Sequence, residues 1–381
     1  MNFDLTTEQR QLQEAAIRLS QKKLDPMLAA HPSTIPLPKP VMLEIFHILA
    51  EFGLTGARVP VELGGSGLSM LDYGLVFEQL PPVIALALIA HDGTTSRLCA
   101  SGAAQDFPEL IADLLSGSQI ACTASTEPTT GSDPRSVKLR IRESEDGKTA
   151  YLSGTKQWIT NGTIADIAFV TGKKDSNGEL QRYIVERAAS PFQATEIPCM
   201  GLQQGHLSEL MFDQVAVPRR NAIGNDNSTM KTLTQAWLVN RPLFGLLGLK
   251  AAERAKDIAL EHVKERVQFG APLASKQLIQ EALVEIEASI QSARLLCYSA
   301  LDAADRNEAT QALSAMAKRQ GVVTAEKAVS LAMRLCGAMG LATETGIEQH
   351  SRDIKMFTIP DGTYEILTLI AGRDLTGQSA L

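Results

Sequence analysis

The chain reads as an α+β multidomain protein with an N-terminal all-α domain over residues 1–118, a middle β-barrel or sandwich domain over 119–227, and a C-terminal four-helix bundle over 228–381. Two observations predict this. At 381 residues the chain is too long for one ordinary hydrophobic core, so two or three domains are expected. The period of its apolar residues also changes twice, from helical spacing to alternation near residue 119 and back to helical spacing near 228.

In the first segment, Thr6 with Gln9 makes a capping-box start, and Leu12, Ala16 and Leu19 recur at helical spacing before Pro26 interrupts the pattern. A second helix is expected from about Val41 to Phe52, and another from about Met70 to Leu80, ended by Pro81-Pro82. Between them lies the glycine-rich stretch Val59–Leu68. No strand precedes it in a βαβ unit and no Lys-Ser/Thr follows, so it reads as a tight inter-helix turn rather than a phosphate loop.

From about residue 119, Val137, Leu139 and Ile141 alternate with polar residues, Glu145-Asp146-Gly147 turns the chain, and Ala150 and Leu152 begin the return strand. Further strands are expected at 167–172, 182–185 and 210–217, with a turn at Ser176-Asn177-Gly178. Helical spacing then resumes. One helix is expected from about 227 to 267, kinked or interrupted at Arg241-Pro242, with others over about 276–305 and 309–339 and a last one starting at Gly362-Thr363. Leu283, Ile286, Ile290, Ala293, Cys297 and Leu301 step by three and four, which makes a packed seam of the kind found in four-helix bundles.

Composition narrows the function. With 36 basic against 43 acidic residues the net charge is −7, which points away from nucleic acid and anionic membranes. The longest apolar run, Val83 to Ala90, falls far short of the ~20 residues of a membrane span, and the N-terminus lacks a signal-peptide pattern. Five scattered cysteines have neither disulfide-framework nor zinc spacing, so a reduced, cytoplasmic protein without a metal is expected.

The stretch Asp353–Ile366 carries the most pointed chemistry. Pro360 fixes its own φ, Gly362 allows a sharp bend, and Asp361 is thereby aimed by its backbone just before a helix start. Such an Asp ordinarily serves as a cap or turn residue; the alternative is a general base at the rim of a pocket. Thr126–Asp133 (TEPTTGSD) crowds hydroxyls and glycine-freed N–H groups into one loop. Trp158 and Thr160, two apart on an expected strand, share a face. Arg266, at a helix end before Phe269-Gly270, either grips a pyrophosphate or complements the helix dipole.

These motifs and their order resemble the acyl-CoA dehydrogenase family over essentially the whole chain. The stretches that carry the resemblance are Val59–Leu68 (VPVELGGSGL), Thr126–Asp133, Lys156–Gly162 (KQWITNG), Arg266–Pro272 (RVQFGAP) with Gln277, and Cys336–Thr363. The resemblance implies an FAD enzyme that dehydrogenates an acyl thioester, with Asp361 removing the α-proton while the flavin accepts the β-hydrogen as hydride. It places Thr123, Ser125, Thr126, Gly131, Ser132, Trp158, Thr160, Thr363 and Glu365 on FAD. Arg266, Phe269, Gln277, Arg334, Gly337 and Ala338 it places on the FAD of a neighbouring subunit, so a homodimer or homotetramer is implied. Ser132, Arg241 and Asp92 become substrate-side residues. The thioester is carried by CoA or an acyl-carrier protein, and electrons leave to an electron-transfer flavoprotein or to oxygen.

Four departures from the family pattern matter. Asp361 stands where Glu is usual, shorter by roughly 1.5 Å, and a misplacement of about 1 Å can cost on the order of a hundredfold in rate. Pro360 replaces an aromatic residue. Asn240 occupies the position from which a few relatives supply the base, and an amide cannot serve. Arg334, Ala338 and Met339 differ from the commoner amide and Gly-Asn pair. Nitroalkane oxidases of the same superfamily use an aspartate base, so oxidation of a non-thioester carbon acid is the alternative reaction, and a non-catalytic flavin-binding member the third reading.

Overall fold

The structure is a computed structural model and describes residues 4–224 and 226–380. The N-terminal segment is helical: α1 (Thr7–Leu19), α2 (Asp25–Ala29), α3 (Lys39–Glu51), α4 (Met70–Phe77), α5 (Pro82–Ala100), α6 (Ala103–Asp106) and α7 (Pro108–Leu115). The expected capping box is formed, with Gln9 N donating to Thr6 Oγ1 at 3.2 Å and Thr6 N to Gln9 Oε1 at 3.0 Å. Pro81-Pro82 both ends the turn after α4 and starts α5, since proline is tolerated at the first turn of a helix. Helix α5 is buried around most of its circumference because it is packed between the sheet and the bundle.

Eight strands follow: β1 (Ala121–Ala124), β2 (Arg140–Glu143), β3 (Thr149–Thr160), β4 (Ile167–Lys174), β5 (Leu180–Glu186), β6 (Gln193–Glu196), β7 (Leu207–Pro218) and β8 (Ala222–Ile223). They make one mixed sheet in the order β6-β7-β3-β2-β4-β5-β8, with β1 added parallel to β4. The long β3–β7 ladder slips register between Lys156 and Ile159, and Trp158 sits in that irregularity with φ of 63°. Such a bulge re-aims a side chain out of the regular pleat. Trp158 and Thr160 therefore meet the same space by a bulge and not by the simple two-residue alternation expected of them.

The C-terminal segment opens with α8 (Asp226–Glu265), which continues through Pro242 without interruption. A short hairpin, β9 (Val267–Gln268) and β10 (Ala271–Pro272), leads to α9 (Gln277–Asp305) and α10 (Gln311–Leu335), and α11 (Ile347–Phe357) and α12 (Tyr364–Thr376) close the bundle. Helices α8 and α10 cross at glycine: a Cβ on Gly321 would lie 2.7 Å from the Gly245 Cα. Only bare backbones permit that approach, and it carries the face of α10 that holds Lys318 up to the loop before α12. The N-terminal helices are tied to the bundle by a buried ion pair, Arg294 Nε to Glu78 Oε1 at 2.7 Å, to which Tyr298 Oη also donates.

His91 is enclosed in α5, where one ring nitrogen accepts from Ala121 N at 3.1 Å and the other lies 2.9 Å from Leu114 O. Burial pushes it down to about 4, so the folded protein holds it neutral. Below pH 6.5 the unfolded chain binds a proton that the folded chain refuses, so stability falls as the pH drops from 6.5 toward 4. The expected loss is on the order of 3 kcal/mol by pH 4. Urea midpoints taken at pH 7, 6 and 5 test this, since few carboxylates titrate there; a flat profile would remove His91 as an acid-sensitive element.

Among the described residues no helix is long and apolar enough to cross a membrane, and no group of three or more His, Cys, Asp or Glu is placed to hold a metal. All five cysteines are free.

Candidate active site

A cavity of about 1010 Å³ opens where the sheet, α5, α8 and the loop before α12 meet. The sheet side supplies hydroxyls and one aromatic: Thr123, Ser125, Thr126, Ser132, Thr160 and Trp158, with Gly131 beside them. The helical side supplies Leu86 and Ile89 from α5, and Leu233, Trp237 and Phe244 from α8. The loop before α12 supplies Asp361 and Thr363. With Arg241 from α8, ten residues singled out in the sequence thus line one cavity, although they come from segments as far apart as Thr123 and Thr363.

Local chemistry explains how each is held. Glu127, in the TEPTTGSD loop, accepts from Lys138 N at 2.6 Å, Leu139 N at 2.8 Å and the Lys156 ammonium at 2.8 Å. That buried pair anchors the loop to the strand that carries Trp158, and burial pushes Lys156 down to about 8. Trp158 itself is 51% exposed, presenting an indole to the cavity instead of packing it into the sheet. Thr363 caps α12, accepting from Ile366 N at 3.4 Å.

Asp361 has φ of 54°, a left-handed conformation costly for a residue with a Cβ. Three consecutive carbonyls hold it there. Lys318 donates to Pro360 O and, at 2.7 Å, to Gly362 O; Arg241 Nε donates to Asp361 O at 2.9 Å. Both cations are buried, and Arg241 is fixed in turn by Gln311 at 2.6 Å. Burial pushes Lys318 down to about 7, opposed by the attraction of Asp361. What the clamp leaves free is the chemistry: Asp361 Oδ2 is buried without a partner, and its N–H has none among the described residues. An unclaimed buried acceptor beside an unclaimed donor is the mark of a site completed by a ligand.

The structure corrects one expectation. Asp92, expected on the substrate side, is not part of the cavity wall. It lies inside α5, fully buried, where it accepts from Arg58 Nε, and Arg58 Nη1 donates to Asn240 at 2.9 Å. The resemblance implied a substrate-side residue; the side chain instead neutralises a neighbouring cation. Glu365 also lies off the wall, exposed in the first turn of α12. Arg266, Phe269, Gln277, Arg334, Gly337 and Ala338 are exposed on the bundle and reach no part of this chain's cavity; Phe269, at the tip of the β9–β10 hairpin, is 96% exposed. The glycine-rich stretch 59–68 is likewise absent from the wall, and Gly65 is required only because a Cβ there would sit 2.1 Å from Val59 O.

Sequence reasoning missed Lys318, Arg97 and Arg58. A signal existed for Lys318: it shares a helix face with Ser314, Gly321 and Ala325, all buried and small, which is an improbable surface for a lysine. The donor set of the wall fits a flavin. Hydroxyls and a glycine-bearing loop, a carboxylate and a half-exposed indole line one cavity.

The chain matches three family models in series: acyl-CoA dehydrogenase N-terminal domain over residues 6–117, middle domain over 122–215 and C-terminal domain over 229–376. It is 30% identical over 384 residues to the short-chain-specific acyl-CoA dehydrogenase of Megasphaera elsdenii, covering 98% of this chain and 99% of that protein. It is also 30% identical to the cyclohex-1-ene-1-carbonyl-CoA dehydrogenase of Geobacter metallireducens, covering 86% of this chain and 88% of that protein. In three dimensions it overlays butyryl-CoA dehydrogenase from Megasphaera elsdenii with a TM-score of 0.91 at 28% identity, covering 98% of this chain and 100% of that one. The chain belongs to the acyl-CoA dehydrogenase family of FAD-dependent oxidoreductases.

Proposed function

We propose that this protein dehydrogenates an acyl thioester between Cα and Cβ, with Asp361 as the base that removes the α-proton. The observation that carries the reading is the state of Asp361: a carboxylate on the cavity wall with one oxygen unclaimed and an N–H free beside it. Bound FAD supplies the acceptor for the hydride that leaves the β-carbon. The protein's own residues do the rest. Thr123, Ser125, Thr126, Gly131, Ser132, Trp158 and Thr160 would hold the flavin against the sheet, with Thr363 on the opposite rim.

The α-proton passes to the Asp361 carboxylate, and the charge that develops on the thioester oxygen is met by the Asp361 N–H, a preorganised donor. Phe244, Trp237 and Leu233 line the cavity's helical side and keep water from the reacting carbons. The shorter reach of Asp is offset by its backbone: carbonyls 360–362 are drawn toward Lys318 and Arg241, so the left-handed residue faces the cavity. Carriage of the acyl group by CoA or an acyl-carrier protein, reoxidation by an electron-transfer flavoprotein or oxygen, and dimeric or tetrameric assembly belong to the same reading. The six outward-facing residues of the bundle would then reach a neighbouring subunit's FAD.

Anaerobic titration of the FAD-loaded protein with acyl-CoA and acyl-carrier-protein thioesters, followed by flavin absorbance, tests the reading. Bleaching by at least one thioester is expected. Bleaching by non-thioester carbon acids alone would replace this reaction with the alternative, and no bleaching by either class would leave only the fold.

A further inference from the structure

A buried cation ordinarily comes with a counter-charge, because stripping its water costs more than protein dipoles alone return. Beside the cavity this pairing is incomplete. Asp92 neutralises Arg58. Arg97, also on α5, has no carboxylate within ion-pair reach among the described residues. Its Nη2 donates to Thr123 Oγ1 and, at 3.5 Å, to Thr94 Oγ1, while its Nε is buried without a partner. Arg182, from β5, lacks a carboxylate too: it lies over the Phe169 ring, donates to Thr232 Oγ1, and its Nε has no partner. Burial, together with repulsion from Arg182 and Arg58, pushes Arg97 down to about 9 against the more distant attraction of Asp361 and Asp92, which still leaves it charged at neutral pH.

A second, smaller cavity of about 250 Å³ lies against this group, between α5 and α8. Its polar wall is Arg58, Ser96, Arg97, Thr232 and Gln235. Arg97 belongs to the walls of both cavities. We propose that the small cavity is an anion subsite in which Arg97 binds a carboxylate, either that of a free small acid or one carried on the acyl group held in the larger cavity. The volume sets the size: it is below the roughly 300 Å³ at which drug-sized sites begin, so it admits a carboxylate with a few carbons and no nucleotide. The charge sets the sign. With neither Arg97 nor Arg182 paired to a carboxylate, a cationic aminoacyl group is disfavoured and an anion supplies the partner the fold omits. Guanidinium is suited to the task, since its planar donors match a carboxylate.

The acyl-borne form rests on the thioester reading above; the free-acid form does not, and the test separates them. Equilibrium binding is measured on FAD-loaded protein carrying Asp361→Asn, so that no turnover intervenes, in three versions: Arg97 retained, Arg97→Met and Arg97→Lys. The probes are free succinate, and succinyl-CoA against butyryl-CoA, which match in chain length and differ in terminal charge. Succinate or succinyl-CoA is expected to bind at least about tenfold more tightly with Arg97 than with Met, butyryl-CoA to bind alike in both, and Lys to recover part of the difference. Binding of succinate with no response to either thioester would support the subsite and count against the thioester reading. The proposal is overturned if no anion shows dependence on Arg97, or if Met weakens succinyl-CoA and butyryl-CoA equally. It is overturned as well if Met shifts only the flavin midpoint potential, which would assign the guanidinium to the cofactor edge beside Thr123. Should Arg97→Met fail to fold, the comparison of Arg with Lys decides on the same terms.

Discussion

Asp361→Asn is expected to abolish flavin reduction by substrate, with a loss of at least about a thousandfold in the single-turnover rate, while FAD remains bound. The change is nearly isosteric, so the clamp on carbonyls 360–362 survives intact. What disappears is the proton acceptor. General base catalysis contributes roughly 10²–10⁴, and the wall's other carboxylate, Glu127, is already taken up by Lys156 and by the Lys138 and Leu139 N–H groups. Asn240 occupies the alternative position on α8, and its oxygen already accepts from Arg58. Asp92, the nearest buried acid on α5, is bound to Arg58 and lies off the wall. Stopped-flow absorbance under anaerobic conditions reads the rate, and the ratio of flavin to protein absorbance reads occupancy. If the Asn protein reduces its flavin at the parent rate, Asp361 is not the base. If it loses FAD, the carboxylate serves structure and the rate comparison must be repeated at saturating FAD.

The order of the three segments was legible because apolar period and proline placement act locally. The capping box at Thr6 and Gln9 forms as written, since its partners are three residues apart. The residues that line the cavity were legible where they belong to short motifs, as with TEPTTGSD and the Pro-Asp-Gly loop. The rest depended on approach between distant segments. Lys318 is 42 and 44 residues from the carbonyls it holds, so the small-residue face around it could mark it as buried but could not name its partners. Asp92 was expected on the substrate side because the family resemblance gives a position but not a partner, and its partner Arg58 lies 34 residues away. Trp158 was placed on the correct wall by an argument from alternation that the bulge at 156–159 in fact replaces. The six exposed residues of the bundle have no role that one chain can display.

Lys318→Met is expected to lower kcat by about a hundredfold while changing stability by less than about 2 kcal/mol, and that separation is what marks a positioning residue. Two opposing effects set the stability. Removing the amine strips two buried carbonyls of a donor, at about 1–3 kcal/mol each. It also relieves the desolvation that pushes Lys318 down to about 7 from 10.5, on the order of 4 kcal/mol at pH 7 or below. The two nearly cancel, so the lysine is not retained for the strength of the fold. Geometry has no such compensation. With Pro360 and Gly362 released, only Arg241 still holds the loop, and the left-handed Asp361 relaxes toward ordinary backbone. A shift of about 1 Å in the base is worth about a hundredfold in rate. The pH dependence gives a second readout. Between pH 7 and 10.5 the unfolded chain keeps a proton on this lysine that the folded chain gives up, so stability rises with pH across that window in the parent and loses that rise in the Met variant. Urea midpoints at pH 7 and 9.5, beside kcat and KM for one thioester, test both claims. A large loss of stability with kcat intact would make Lys318 a core residue and nothing more. Unchanged values of both would show that Arg241 alone suffices to aim the base.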